Sequence, residues 1–100
     1  MQLIEIKKYL KNIKIYNNNN KNIKFSNLQT NSKNISKNSI FLINNKKKIK
    51  DYYLMDAIKK GAVAILTNKL IHKLNFPQII TEDINRCLLI LLNKLKPIKP

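Results

Sequence analysis

Apolar residues recur along this chain with two different periods, and each change of period marks an element. Leu3, Ile6, Leu10 and Ile13 fall on one helical stripe, with Lys7, Lys8 and Lys11 largely off it, so the pattern predicts a helix within residues 1–16. The Asn run at 17–20 ends it. Ile23, Phe25 and Asn27 alternate, predicting a strand over 23–28, and the polar stretch 30–38 reads as a loop. The continuous apolar run 40–43 is expected of a strand buried on both faces. A second polar loop, 44–50, follows. Over 51–60, Tyr53, Leu54, Ala57 and Ile58 make the inner face of a helix, with Asp56 and Lys60 placed to pair outside. Gly61 comes next, where a helix commonly ends in a backbone conformation that glycine adopts cheaply. Residues 62–67 read as a buried strand in which small Ala62 and Ala64 let a helix lie close, 70–74 as a turn or short helix, and 78–80 as another strand. Thr81 is placed to cap a last helix, with Glu82 and Asp83 favouring its positive end. Ile84, Leu88, Leu91 and Leu95 form that helix's core stripe, and Pro97 stops it.

Strands that alternate with helices predict an α/β fold, a small and mainly parallel sheet flanked by helices. The 100 residues suit one modest core. The division expected is an N-terminal helix and Asn-rich turn over 1–20, the α/β domain over 21–96, and the start of a linker over 97–100.

Composition changes how the charge is understood. The formal net charge is +15 and the pI about 10.1, a balance that ordinarily suggests nucleic acid or an anionic membrane. Asn, Ile and Lys make up about half of the chain, well above ordinary usage. Their codons are rich in A and T. We hypothesise that drift in an AT-biased genome replaced Arg by Lys and acidic residues by Lys or Asn; a balanced base composition in the coding DNA would exclude this. Arg86 is the only Arg, whereas nucleic-acid readers rely on Arg for bidentate base contacts. The charge therefore argues against nucleic acid as the partner. Cys87, the single Cys, forms no internal disulfide and has the apolar company of a buried thiol. That fits a reducing cytoplasm. The longest apolar run, 87–92, is far short of the ~20 residues that span a bilayer, and the N-terminus lacks a signal-peptide pattern.

Candidate chemistry is sparse. With one Gly, the chain lacks the glycines that let backbone amides approach a phosphate, which excludes both the P-loop and the dinucleotide fingerprint. His72 is the only His, and no Cys/His/Asp cluster has metal-ligand spacing. No general acid/base pair stands out among the five carboxylates. Two loops remain, each after a strand: Thr30-Asn31-Ser32-Lys33, and Asn44-Asn45-Lys46-Lys47-Lys48. Ligands of open α/β sheets bind at the carboxyl ends of strands. Hydroxyls and amides there can hydrogen-bond a base or sugar, and Lys can neutralise a diphosphate. The plainer alternative is that both are solvated loops rich in Asn and Lys.

Between 25 and 95 the residues resemble a family. The N-terminal domain of Mur ligases has a strand, Asp/Asn-Ser-Arg, a Gly-Asp-Leu-Phe-Val-Ala strand, a short loop with Asp-Gly, a helix, and Gly-Ala-Val-Ala opening the next strand. This chain has Leu28-Gln29-Thr30-Asn31-Ser32-Lys33, then Asn38-Ser39-Ile40-Phe41-Leu42-Ile43. It continues with Ala57-Ile58-Lys59-Lys60-Gly61-Ala62-Val63-Ala64, and later Phe76-Pro77-Gln78-Ile79-Ile80-Thr81-Glu82-Asp83 with Arg86 following. The departures are Lys33 for the family's Arg, Asn38-Ser39 for Gly-Asp, and Ile49-Lys50 for Asp-Gly in a loop one residue shorter.

The resemblance implies a Mur ligase N-terminal domain-like fold that holds the UDP end of a UDP-N-acetylmuramoyl-peptide in the cytoplasm, for peptidoglycan synthesis. It is nearest to the branch that adds the third amino acid to UDP-N-acetylmuramoyl-dipeptide. It implies Thr30, Asn31, Ser32 and Lys33 as contacts to the uridine end, with Lys46, Lys47 and Lys48 on the second contact loop. ATP and magnesium belong to the family's central domain, so no cofactor is expected here. The expectation is a recognition domain on a truncated or split chain, not catalytic alone, whose partner is a separate chain carrying the other ligase domains. A basic nucleic-acid-binding module and a nonfunctional remnant that still folds are the alternatives.

Overall fold

Two interior strands, one buried throughout and one at all but a single residue, organise the molecule, and the buried-run pattern is their cause. In the computed structural model, which describes residues 1–10, 12–17, 23–30, 35–43 and 51–95, the elements in order are a 3-10 turn (Leu3–Glu5), α1 (Ile6–Tyr9), β1 (Ile13–Tyr16), β2 (Asn27–Gln29), β3 (Ser39–Leu42), α2 (Asp51–Lys60), β4 (Ala62–Thr67), β5 (Gln78–Thr81) and α3 (Ile84–Leu95). The five strands form one sheet in the order β1-β5-β4-β3-β2. β2, β3, β4 and β5 run parallel, and β1 lies antiparallel to β5. The fold is thus α/β with a mainly parallel sheet.

The interior strands separate two cores. Ile40 and Leu42 of β3 join Ala64, Leu66, Ile79, Leu3, Ile6, Cys87 and Leu91 on the face covered by the N-terminal segment and α3. Phe41 and Ile43 join Ile65, Leu54 and Ala57 on the face covered by α2. Ser39 pairs with Ala62 but Ile40 with Ala64, so Val63 is an extra residue, a bulge that shifts the alternation. Ala57, Ala62 and Ala64 are almost wholly buried, which is how a helix comes close to these strands. The ion pair expected on the outer face of α2 is present, with Lys60 Nζ 3.0 Å from Asp56 Oδ2.

The N-terminus corrects the sequence pattern. Helix stops at Tyr9; Leu10 is extended (φ −130°, ψ 115°), and Ile13–Tyr16 is a strand. Ile13 satisfies both a 3.6-residue stripe and a two-residue alternation, and β5 supplies the partner that decides for the strand. Leu3 and Ile6 of this segment are in the core. The expected strand over 23–28 is also divided. Leu3 N–H donates to Ile23 O (2.7 Å) and Phe25 N–H to Met1 O (2.8 Å), while only Asn27–Gln29 pairs with β3.

A second correction concerns the start of α3. Thr81 stays in β5, opposite Ile13 of β1, so the helix begins later. Asp83 takes the capping role, its Oδ1 accepting the Arg86 backbone N–H at 3.0 Å. Among the described residues no helix is long and apolar enough to cross a membrane.

Candidate functional site

Parallel pairing brings the carboxyl ends of β2, β3, β4 and β5 to one edge of the sheet. Thr30 follows Gln29 there and is exposed. Ile43 ends the β3 pairing beside it, its N–H donating to Leu66 O at 2.8 Å. Thr67 closes β4 with a local turn: its hydroxyl donates to Lys69 O (3.2 Å) and accepts the Lys69 N–H (3.3 Å). Exposed Lys69 thus leaves this same edge, next to β3. Of the sequence-predicted contacts, Thr30 stands at the edge. Asn31, Ser32, Lys33, Lys46, Lys47 and Lys48 lie outside the described residues.

The segment re-entering β3 is held by side chains. Asn27 Nδ2 donates to Ser36 Oγ at 2.9 Å, Ser36 N–H donates to Ser39 Oγ at 3.3 Å, and Ser39 is fully buried. Asn38 has φ +62°, and its carbonyl accepts the Ser26 N–H at 2.8 Å. Asn is one of the few residues besides Gly that tolerates this left-handed conformation. Gly61 has φ +124° and faces the same turn, its carbonyl accepting the Asn38 N–H at 3.1 Å. Both positions are ones at which the Mur ligase pattern has Gly.

Sequence reasoning missed Gln78. It is fully buried, accepts the Ile71 N–H at 2.8 Å, and donates from Nε2 to Ile71 O and Leu74 O, both at 3.1 Å. This side chain fastens the 68–77 connection over the α2-side core, where Ile71, Leu74 and Phe76 pack. The only advance signal was a polar residue opening an apolar strand. His72 lies exposed on that connection.

A cleft of about 420 Å³ opens at the β5 end of the edge, between the end of α1 and the first half of α3. Leu10, Ile13 and Ile90 give it an apolar wall, with Cys87 beneath. Lys94 Nζ sits 4.5 Å from the centre of the Tyr9 ring and ties the two helices together at its rim. Burial, and secondarily the Asp83 charge, push the Cys87 thiol from 9.0 up to about 11, so it is no nucleophile at neutral pH. Among the described residues no group of His, Cys, Asp and Glu could hold a metal ion. Neither known protein families nor curated proteins give a match to this chain.

Proposed function

We propose that this chain recognises the UDP end of UDP-N-acetylmuramoyl-dipeptide, as the N-terminal domain of a cytoplasmic Mur ligase that adds the third amino acid during peptidoglycan synthesis. The observation that carries the reading is the pair of positive-φ positions, Asn38 and Gly61, locked to each other by the 3.1 Å bond. They fall where the family pattern has Gly, the residue that takes positive φ most cheaply, and this supports the reading. The ligand would lie along the carboxyl edge of β2–β4. Thr30 and Ser32 hydroxyls would hydrogen-bond uracil or ribose, with Asn31 and Lys33 beside them. Lys46, Lys47 and Lys48 would face the diphosphate from the second loop, and Lys69 adds a cation at the same edge. ATP and magnesium chemistry would fall to the family's central domain, since one Gly builds no phosphate loop.

Titration of the isotopically labelled chain with UDP-N-acetylmuramoyl-dipeptide, followed by amide NMR, tests this. The expected result is shifts at Leu28, Thr30, Ile43 and Thr67, with Thr30→Ala weakening binding about two- to tenfold, the worth of one neutral hydrogen bond. No shift at this edge at about 1 mM ligand refutes the proposal. Retention on duplex DNA that falls steeply with salt would favour the nucleic-acid alternative.

A further inference from the structure

The cleft at the end of β5 combines features found together nowhere else among the described residues. It gathers the chain's only Arg and two of its five carboxylates onto one concave surface, in a protein of net charge +15. Arg86, Glu82 and Asp83 line it without neutralising one another: no carboxylate lies within 4 Å of the Arg86 guanidinium among the described residues. Asp83 spends one oxygen on the Arg86 backbone N–H, which leaves its other oxygen available. Thr81 supplies an independent sign. Its side chain is in the lining, it is only 7% exposed, and its hydroxyl accepts a long 3.4 Å bond from the Asp83 N–H. The Thr81 O–H itself has no acceptor among the described residues. A buried hydroxyl without an acceptor is costly unless a ligand or water completes it.

These groups specify a ligand. An anion alone would be repelled by Glu82 and Asp83, and a cation alone by Arg86. A molecule with both charges a few ångströms apart satisfies both sides. The planar Arg fork suits a carboxylate, and Thr81 O–H is a further donor to it. The acidic pair suits an ammonium group. Leu10, Ile13 and Ile90 offer apolar cover for a hydrocarbon side chain. The volume falls within the roughly 300–1,000 Å³ usual for small-ligand sites. The lining of the cleft shares no residue with the β2–β4 edge assigned above to the uridine end, so this site is distinct from that edge and stands independently of that assignment.

We propose that the cleft between α1 and α3 binds a free α-amino acid with an apolar side chain, its carboxylate on Arg86 and Thr81 and its ammonium on Glu82 and Asp83. The test is amide NMR of the whole chain with three probes: L-leucine, 4-methylpentanoate, which lacks the ammonium group, and L-leucinamide, which lacks the carboxylate. L-Leucine is expected to shift the Thr81, Arg86 and Cys87 amides, and both analogues to bind at least about tenfold more weakly, the worth of one charge-assisted contact. Arg86→Gln and Glu82→Gln, both at exposed positions, should each weaken L-leucine by a similar factor while leaving the rest of the spectrum in place. Absence of shifts at about 10 mM L-leucine overturns the proposal. So does binding of 4-methylpentanoate or L-leucinamide as strong as that of L-leucine, or binding unchanged by either substitution. The uridine-end reading is untouched by all of these outcomes, because its probe reports at Thr30 and Ile43.

Discussion

Replacing Gly61 by Ala places a methyl group where the backbone leaves no room. The new Cβ would lie 2.7 Å from Lys37 Cα, 2.9 Å from Lys37 N and 2.9 Å from Ser36 O. All three are main-chain atoms, so no side chain can rotate away, and relief requires moving the 36–38 turn. That turn is tied down on both sides, by Asn38 N–H to Gly61 O at 3.1 Å and by Ser26 N–H to Asn38 O at 2.8 Å. The substitution also forces an L-residue to φ +124°. The unfavourable φ costs about 1–3 kcal/mol and the overpacking about another 1–3 kcal/mol. The sum of about 4 kcal/mol is a large share of the roughly 5–15 kcal/mol that holds such a domain folded. For this length it lowers Tm by about 15–30 °C. Urea unfolding of wild type and Gly61→Ala, followed by far-UV circular dichroism, measures it directly. An unchanged m-value with a shifted midpoint is expected. A loss below about 1 kcal/mol would refute the steric argument, because the conformational cost alone reaches that.

Asn38→Gly should be neutral or stabilising and Asn38→Ala destabilising by about 1 kcal/mol, since only the second worsens a left-handed position; equal effects in the same unfolding assay would contradict this. Gln78→Leu keeps the size but strands the Ile71 N–H and the Ile71 and Leu74 carbonyls, costing about 3 kcal/mol and exposing the 68–77 connection to protease; unaltered cleavage there counts against the stapling role. For Cys87 the thiol is protonated in both states below pH 9.0, whereas between 9.0 and about 11 the unfolded thiol ionises and the folded one does not. The folded state therefore binds more protons in that window, and stability falls as pH rises through it, by about 3 kcal/mol in all. Wild type should lose more stability than Cys87→Ala over this range, and parallel curves would remove the thiol from the account.

Legibility in the sequence followed how local the deciding physics was. α2 and β4 have the bounds their patterns predict, because a helical stripe, a Gly and a continuous apolar run meet without ambiguity at Gly61. Ile13 fits two periods, and only its antiparallel partner Thr81, far along the chain, selects one of them; no window centred on it contains that information. Thr81 carries the right side chain for a cap, yet the ladder with β1 keeps it in the strand and hands the role to Asp83. Thr30 was legible as a candidate because it follows a strand. Gln78 was not, since its value lies in a connection that folds back over the core. The cleft was the least legible feature, as Leu10, Thr81 and Arg86 meet only through the sheet order.

Gly and Arg, each present once, carry the sharpest lesson. If base composition has pushed this chain toward Asn, Ile and Lys, then a residue that resists the push marks a physical requirement. Position 38 needs positive φ but has solvent around its exposed side chain, and Asn meets that need. Position 61 needs positive φ and has main-chain atoms within 3 Å of any Cβ, and there only Gly serves. The same logic applies to the basic residues. Lys occupies every cationic position but one, as expected where a solvated point charge is enough. Arg86 is the exception, and it sits exposed at the rim of a cleft with no carboxylate partner among the described residues. Neither core packing nor an internal ion pair accounts for a guanidinium there. Recognition of a planar anion from outside the chain does, which ties the one remaining Arg to a ligand.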